Sequence, residues 1–421
     1  MTTTSLTINF ERLKQDIFHL STIGKSPEDN GIYRQAFSKE DLQARQWLGE
    51  RLQKAGINST MDGAANVLAR IGDPEAPSIT VGSHLDTVAC AGALDGALGV
   101  LVGLECLRTI HEQDIPLTHP LELIAFSDEE GRFGGMLGSQ ATAGMLNPGF
   151  IQHAMDLDGI SLVEVMEQQG MNPMGILDCS RTRDSLLCFL ELHIEQGPVL
   201  DTKNLEVGIV SAITGLFKWQ ITLSGTANHA GTTPMTMRQD AFMGLADFAH
   251  EIPRILDENG GENSRATIGK VELFPGSPNT IPEKAIFSID VRDTDVEVLK
   301  ELQLAIRKAL SAIARKGGLM FEFEELSFIH PVQSDVQLVN ALEKKARMLD
   351  YQFEIMPSGA AHDAQIMANL CPVAMVFVPS KGGVSHSPNE WTDWAFIEKG
   401  ANLLLHTILE LQNQKFEKYE G

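Results

Sequence analysis

The chain has 421 residues, of which 43% are hydrophobic, and its 56 acidic and 33 basic side chains give a formal net charge of −23 at pH 7. Domains usually have roughly 100–200 residues, so two domains are expected. The negative charge argues against binding to nucleic acid or to an anionic membrane surface, because both need a positive protein face.

The first half of the chain predicts strands that alternate with helices. Strands are predicted at 76–84, 119–130 and 184–197, and helices at 40–55 and 97–112. This alternation is typical of an α/β fold with a largely parallel sheet, in which ligands gather at the carboxyl ends of the strands. His84, the acidic residues 128–130 and His193 all lie at such predicted ends.

Residues 212–328 show a different pattern. Strands are predicted at 217–225, 266–274, 284–293 and 319–326, and helices at 238–257 and 295–316. Their order, βαββαβ, is that of a ferredoxin-like domain. Strands at 351–359 and 372–380 and a helix at 394–413 then return to the α/β pattern. The sequence therefore predicts a discontinuous first domain, 1–211 plus 329–421, and an inserted second domain, 212–328.

The sequence predicts neither a signal peptide nor a membrane-spanning helix. The N-terminal segment MTTTSLTINFERLKQD has no apolar core of the signal-peptide type. The longest apolar run, near 97–104, is far shorter than the ~20 residues of a membrane helix. The five cysteines form no CxxC motif, which is simplest to explain with reduced thiols. We therefore expect a cytoplasmic protein.

The segment VGSHLDTVACAGALDGALGV, residues 81–100, places polar side chains in apolar surroundings. His84 and Asp86 alternate along an extended stretch, and Asp95 follows in a glycine-rich turn that begins a helix. A neutral imidazole binds divalent transition metals well, and a nearby carboxylate can orient that imidazole. Taken alone, the pattern is equally explained by a capping aspartate and a hydrogen-bonded histidine.

Further candidate ligands follow along the chain. FSDEEGRFGG (126–135) has three consecutive acids at the end of an apolar strand, ELHIEQGP supplies His193, and GGVSHSPNEW supplies His386. Clustered buried carboxylates are costly unless cations neutralise them, and the alternative is a solvated acidic turn. Four separate His and acid sites at strand ends or glycine loops favour a metal centre over coincidence.

The inserted segment has polar clusters of its own. SGTANHAGTTPMTMR contains His229, PGSPNTIP contains Asn279, and SIDVRD contains Arg292. A guanidinium at this position suits a substrate carboxylate, which it can bind through two hydrogen bonds. The alternative for Arg292 is an ion pair with a neighbouring aspartate, at 290, 293 or 295.

Together these motifs resemble the M20 metallopeptidase superfamily, and within it the branch of N-carbamoyl-L-amino acid hydrolases, allantoate amidohydrolases and β-ureidopropionases. The resemblance covers about 10–412 and rests on GSHLDTV, LDGALGV, SDEEGRFG, ELHIEQGP, NHAGTTPM, PNTIP, VRDTD, SGAAHDA and SHSPNE. It implies an α/β, aminopeptidase-like catalytic domain with two divalent metal ions, Zn, Mn, Co or Ni. It also implies that the inserted ferredoxin-like domain is a lid through which two copies dimerise.

The resemblance also implies residue roles. The implied metal ligands are His84, Asp95, Glu130, His193 and His386, with Asp95 shared by both ions. Glu129 would be the general base, Asp86 would orient His84, and His229 would stabilise the oxyanion. The implied substrate contacts are Gln196, His229, Asn279, Arg292, Gly359 and Ala360.

The implied reaction is hydrolysis of the ureido C–N bond of an N-carbamoyl-L-amino acid to the free amino acid, carbon dioxide and ammonia. An allantoate amidohydrolase is a close alternative, followed by a β-ureidopropionase and by an M20 aminoacylase or dipeptidase. His193 counts against the last class, because many dipeptidases have an acid at that ligand position. A non-catalytic binding protein would lack a ligand or the base, and none is missing. The ureido substrate depends on the pocket, including the EEGRFG loop, which is one residue shorter than in many members of the branch.

Overall fold

The computed structural model describes residues 6–414 and 416, which form two compact units. The first unit contains the described residues of Met1–Ser211, Ser334–Met356 and His362–Gly421, and the second contains Ala212–Gln333 and Pro357–Ala361. Where the sequence predicts a second domain of 212–328, this unit ends at Gln333 and also includes Pro357–Ala361. Residues 1–5, 415 and 417–421 of the predicted first domain lie outside the described residues.

Helices and strands follow one another along the whole chain. The helices are α1 (Phe10–Leu20), α2 (Lys39–Lys54), α3 (Ala97–Glu112), α4 (Leu137–Thr142), α5 (Pro148–His153), α6 (Leu162–Gln168), α7 (Val199–Lys203), α8 (Ala241–Asn259), α9 (Val296–Gly317), α10 (Val336–Met348), α11 (Asp363–Met367) and α12 (Trp394–Leu411). The strands are β1 (Ser59–Met61), β2 (Val67–Ile71), β3 (Ser78–His84), β4 (Leu121–Phe126), β5 (Leu186–Ile194), β6 (Val207–Ile213), β7 (Gly215–Ser224), β8 (Arg265–Phe274), β9 (Lys284–Asp293), β10 (Met320–Ile329), β11 (Val332–Gln333), β12 (Phe353–Ser358) and β13 (Val373–Val378).

A mixed sheet forms the centre of the first unit, with the strand order β1-β2-β4-β3-β5-β13-β6. Strands β4, β3, β5 and β13 are parallel to their neighbours in this group. Strands β1 and β2 on one side and β6 on the other are antiparallel to their neighbours. The predicted α/β class is confirmed, but the sheet is parallel only in this central group.

The central strands are buried along almost their whole length because helices cover both faces of a parallel sheet. Every residue of β3, β4 and β13 is buried, and α3 is buried from Ala97 to Ile110. Since β3, β4 and β5 are parallel, their carboxyl ends lie at the same edge of the sheet. The residues that follow these strands are therefore brought together.

The second unit contains a four-stranded antiparallel sheet with the order β10-β7-β9-β8. Alternate residues of β7 are buried, as expected for a strand with one face on the core. Trp219 of β7 and Phe248 of α8 are among the buried aromatic residues of this core. Helix α9 adds a stripe of buried apolar residues that includes Leu299 and Ile306.

Local signals explain where several elements begin and end. Helix α3 and strand β9 have the bounds that the sequence predicts, 97–112 and 284–293. The strand predicted at 119–130 ends at Phe126, because the chain turns at Asp128, where φ is +53°. In the described part of the chain no helix is both long and apolar enough to cross a membrane.

Candidate metal centre

Three neighbouring strands bring the predicted ligands together. His84 is the last residue of β3, and His193 is the penultimate residue of β5. Both imidazoles are buried, and their ring centroids are 5.8 Å apart. Glu129 and Glu130 follow β4, and Glu129 Oε2 is 3.5 Å from His84 Nε2.

Asp95 is the centre of this arrangement because its two oxygens face different partners. Oδ1 is 3.2 Å from His193 Nε2 and 3.8 Å from His84 Nε2. Oδ2 is 3.3 Å from His386 Nε2, and the same His386 nitrogen is 3.4 Å from Glu130 Oε2. One carboxylate therefore joins two sets of ligands.

Gly96, which follows Asp95, is required by the close approach of the helix start to β3. A Cβ at this position would be 2.3 Å from the His84 ring, and the φ angle of Gly96 is +63°. The Gly96 N–H donates to His193 Nε2 at 3.1 Å. Only glycine fits this turn without moving a ligand.

The Nδ1 atoms of both buried histidines face backbone carbonyls. His84 Nδ1 is 3.0 Å from the oxygen of Asp86, and His193 Nδ1 is 2.9 Å from the oxygen of Ile194. A carbonyl only accepts hydrogen bonds, so Nδ1 carries a proton, and each ring would present the lone pair of Nε2 to the site whenever it is neutral.

Asp86 contacts His84 in a different way from the predicted one. Its backbone oxygen accepts from His84 Nδ1, while its carboxylate Oδ1 is 4.0 Å from that nitrogen. The other carboxylate oxygen, Oδ2, accepts a hydrogen bond from the N–H of Glu130 at 3.2 Å. The side chain of Asp86 therefore contacts the backbone of the acidic segment 127–130, and its main chain contacts the histidine.

The buried charges strongly perturb one another. Burial raises the pKa of Glu129 well above its usual value, and the charges of Glu130 and Asp363 add to this. Burial, together with the charge of Asp95, raises the pKa of Glu130 to about 8. Burial alone would lower the pKa of His193, but hydrogen bonding to Asp95 raises it to about 9. The carboxylates of this cluster outnumber its positively charged groups.

The donor atoms fit a divalent transition metal. His84, Asp95 and His193 form one set of candidate ligands, and Asp95, Glu130 and His386 form another, with the ligand atoms of each set within 4.8 Å of one another. Glu130 Oε1 is buried and has no hydrogen-bond partner among the described residues. Imidazole nitrogen and carboxylate oxygen are donors that suit Zn, Mn, Co and Ni.

Comparison with known proteins agrees with this geometry. The model of the peptidase family M20/M25/M40 matches residues 80–410. The chain belongs to the M20 family. It is 38% identical over 409 residues to an N-carbamoyl-L-amino acid amidohydrolase of Geobacillus stearothermophilus, covering 96% of this chain and 99% of that protein. It is 32% identical over 410 residues to an allantoate amidohydrolase of Escherichia coli (strain K12), covering 96% and 98%.

A solved structure supports the same assignment for this M20 hydrolase. An amidase of the hydantoinase/carbamoylase family from Burkholderia multivorans matches with a TM-score of 0.89 and 33% identity, covering 97% of this chain and 99% of that one. The resemblance to the M20 superfamily, and to its carbamoyl and allantoate branch, is thus confirmed. The protein is an amidohydrolase, an enzyme that cleaves C–N bonds.

The other predicted substrate contacts of the M20 hydrolase, apart from Gln196, lie in the second unit. Near His229, the N–H of Ala230 donates to the oxygen of Asn279 at 2.9 Å. Arg292 pairs with Asp290 at 2.8 Å and donates from its terminal nitrogen to the oxygen of Gly359 at 2.7 Å. The ion pair that the sequence left open as an alternative is therefore present, with Asp290. Ala360 is half-buried beside Gly359.

Three contacts to Asp95 were not predicted from the sequence. Gln196, predicted to contact substrate, donates from Nε2 to Asp95 Oδ2 at 2.8 Å. The hydroxyl of Ser385 donates to the same oxygen at 2.7 Å. The buried Glu390 accepts from the backbone N–H of Asp95. In the sequence, only its position four residues after the predicted ligand His386 distinguishes Glu390 from other acidic residues.

Proposed function

We propose that this M20 hydrolase cleaves the ureido C–N bond of an N-carbamoyl-L-amino acid and releases the amino acid, carbon dioxide and ammonia. The observation that carries the proposal is Asp95, whose two oxygens join two ligand sets, one of which contains His193 of HIEQGP. Support comes from the Geobacillus relative, which is named for this activity. Allantoate hydrolysis is the second candidate, and the Escherichia coli relative supports it.

The proposed cofactor is a pair of divalent metal ions. His84, Asp95 and His193 would hold one ion, and Asp95, Glu130 and His386 would hold the other. When bound, such ions polarise a carbonyl group and lower the pKa of water, which makes water a nucleophile near neutral pH.

Glu129 is proposed to move the proton of the reaction. Its carboxylate would take a proton from the attacking water and return it to the leaving nitrogen. Its pKa, raised by burial and by the neighbouring acids, suits a group that must both accept and release a proton. Asp86 would hold the segment that carries Glu129 and Glu130, through the N–H of Glu130.

The remaining predicted residues are proposed to bind the substrate. Arg292, with a side chain one-third exposed, would bind the α-carboxylate through two hydrogen bonds. His229 would stabilise the oxyanion that develops on the carbonyl. Further proposed contacts are Gln196, Asn279, Gly359 and Ala360.

We also propose that the second unit is a ferredoxin-like lid through which two copies form a homodimer. Support comes from its β-α-β-β-α-β order and its strand arrangement β10-β7-β9-β8. A cytoplasmic location is proposed because all five cysteines are free thiols. Sedimentation velocity tests the dimer, and a monomer at micromolar concentration would contradict it.

An ammonia-release assay tests the proposed activity. Protein stripped with a chelator and reloaded with Mn²⁺ or Zn²⁺ would receive N-carbamoyl-L-amino acids, N-carbamoyl-β-alanine or allantoate. We expect the highest kcat/KM for an N-carbamoyl-L-amino acid, and no release by the stripped protein. Silence on all three substrates, together with cleavage of dipeptides, would overturn the proposal. Metal-loaded Glu129→Gln serves as the control for contaminating activity.

A further inference from the structure

Arg45, in the middle of α2, is fully buried although it lies outside the predicted ligand set. Its side chain has 0% exposure, and arginine is almost never so buried unless it is paired. One terminal nitrogen donates to the oxygens of Ala65 at 3.0 Å and Ala125 at 3.1 Å. The other donates to the oxygen of Phe126 at 2.9 Å.

These bonds hold the carboxyl end of β4. Phe126 is the last residue of that strand, and the acidic segment 127–130 begins directly after it. Carbonyls at the end of a buried strand are costly to leave without a partner. The guanidinium therefore fixes the point from which Glu129 and Glu130 project.

The same guanidinium reaches the segment after β3. Its terminal nitrogen is 3.9 Å from Asp86 Oδ1, and Asp86 Oδ2 accepts from the N–H of Glu130. The backbone oxygen of Asp86 holds His84 Nδ1. Arg45 is thus adjacent to a residue, Asp86, that contacts both the ligand His84 and the backbone of Glu130.

Two further buried charges complete this group. Arg45 Nε is 2.9 Å from Asp41 Oδ1, one turn earlier on α2, and Asp41 Oδ2 accepts from the N–H of Phe37. Arg34, also fully buried, donates from Nε to the oxygen of Leu85 at 2.7 Å. Leu85 lies between His84 and Asp86, so the ends of both strands are held by arginines.

We propose that Arg45 is a positioning residue for the metal centre: its guanidinium holds the ends of β3 and β4 at the spacing that His84, Glu129 and Glu130 need. This inference rests on the proposed metal centre. A role in stability alone would require only that the carbonyls be satisfied. A positioning role requires in addition that metal affinity and proton transfer depend on Arg45 in protein that remains folded.

The test compares Arg45 with another buried arginine. Arg108 of α3 has 5% side-chain exposure, and its Nη1 is 2.5 Å from Asp16 Oδ2. Its partners in the described part of the chain are Asp16, Glu105 and the oxygen of Arg51, which are not candidate ligands. Full-length wild type, Arg45→Met, Arg45→Lys and Arg108→Met would be stripped of metal. Zn²⁺ affinity would be measured by competition with a chromophoric chelator, below the thermal midpoint of each protein.

We expect Arg45→Met to bind Zn²⁺ about 10- to 100-fold more weakly, as is usual when an outer partner of a metal ligand is lost. Arg45→Lys should also bind Zn²⁺ more weakly, because one ammonium group cannot replace a guanidinium that donates to three backbone carbonyls. At saturating metal, Arg45→Lys should have a lower kcat with an unchanged KM. Arg108→Met should lose thermal stability but keep wild-type Zn²⁺ affinity.

Each contrary result has a distinct meaning. If wild type binds Zn²⁺ and the Arg45 variants bind it equally well, the positioning role is wrong and the metal centre stands. If wild type binds no Zn²⁺, Mn²⁺ or Co²⁺, the proposed metal centre fails and the inference fails with it. If neither Arg45 variant folds while Arg108→Met does, Arg45 acts on global stability, and the positioning role is again overturned.

Discussion

The carboxylate of Glu390 holds the backbone of Asp95. Glu390 Oε1 accepts hydrogen bonds from the N–H groups of Leu94 at 2.9 Å and Asp95 at 3.0 Å. Its other oxygen is 3.1 Å from the hydroxyl oxygen of Ser385, which donates to Asp95 Oδ2. Because His386 is in the same short segment as Glu390, this contact connects Asp95 with the most C-terminal of the predicted ligands.

Replacement of Glu390 by alanine should therefore loosen the metal centre. Two buried N–H groups would lose their acceptor, at a cost of about 1–3 kcal/mol each. We expect Glu390→Ala to have a lower thermal midpoint and reduced metal content after dialysis, measured by elemental analysis. Glu390→Gln keeps one oxygen acceptor of the same shape and should retain most of the metal. Equal metal content in wild type and Glu390→Ala would contradict this role.

A second prediction concerns Gly96. In Gly96→Ala the new Cβ would be 2.3 Å from the His84 ring, in addition to the strain of a φ angle of +63°. We expect loss of bound metal and of activity, because His84 must move. Gly159→Ala is the matched control, since Gly159 also has a positive φ of +78° but has no atom within 4 Å of the added Cβ. It should show only the strain, about 1–2 kcal/mol.

The two glycine variants distinguish backbone strain from displacement of the His84 ring. If both lose similar stability and both keep their metal, the close approach of Gly96 to His84 is unimportant for binding. If Gly96→Ala alone loses metal, the steric explanation holds.

Local patterns allowed much of this molecule to be predicted. Helix α3 and the ligands at the ends of β3 and β5 follow from apolar runs that stop at polar residues. The antiparallel strands β1 and β2 at one edge of the sheet were not predicted, because they are short and only partly buried.

The other features that were not predicted depend on contacts between residues far apart in the sequence. Glu390 meets Asp95 across 295 positions, and Arg45 meets Phe126 across 81. No spacing within either motif indicates such a pair. Gln196 was expected to face substrate from its motif, but only the fold reveals its bond to Asp95.

The stability of the metal-free protein should fall as the pH rises from about 6.5 to about 9. Despite burial, hydrogen bonding to Asp95 raises the pKa of His193 to about 9, and a separate hydrogen bond to the other oxygen of Asp95 raises the pKa of His386 to about 9. A raised histidine pKa gives stability that is complete below the unfolded value, ~6.5, and is lost as the pH passes the folded value. Burial raises the pKa of Glu130 to about 8, so its ionisation acts in the same direction.

Thermal midpoints at several pH values, with chelator present, check this dependence. Bound metal should reverse the trend over this range, because ligands must lose protons to bind it and affinity therefore rises with pH. His386→Gln should show a shallower fall in the metal-free state. A metal-free midpoint that stays constant or rises between these pH values would contradict the assigned directions.

Arg292 should determine the affinity for the substrate carboxylate. Loss of a charged, two-point hydrogen bond in Arg292→Ala should raise KM about 10- to 100-fold. Arg292→Lys should restore little, because an ammonium does not match a carboxylate through two parallel bonds. Arg265, its cross-strand partner on β8, is exposed and is a suitable control, so Arg265→Ala should leave KM unchanged.

Because Arg292 also donates to the oxygen of Gly359, a carboxamide analogue of the substrate provides the discriminating measurement. If Arg292 binds the carboxylate, wild type should prefer the acid over the amide, and Arg292→Ala should lack this preference. If the preference is unchanged and only kcat falls, Arg292 serves to hold the segment 357–361 and does not bind substrate.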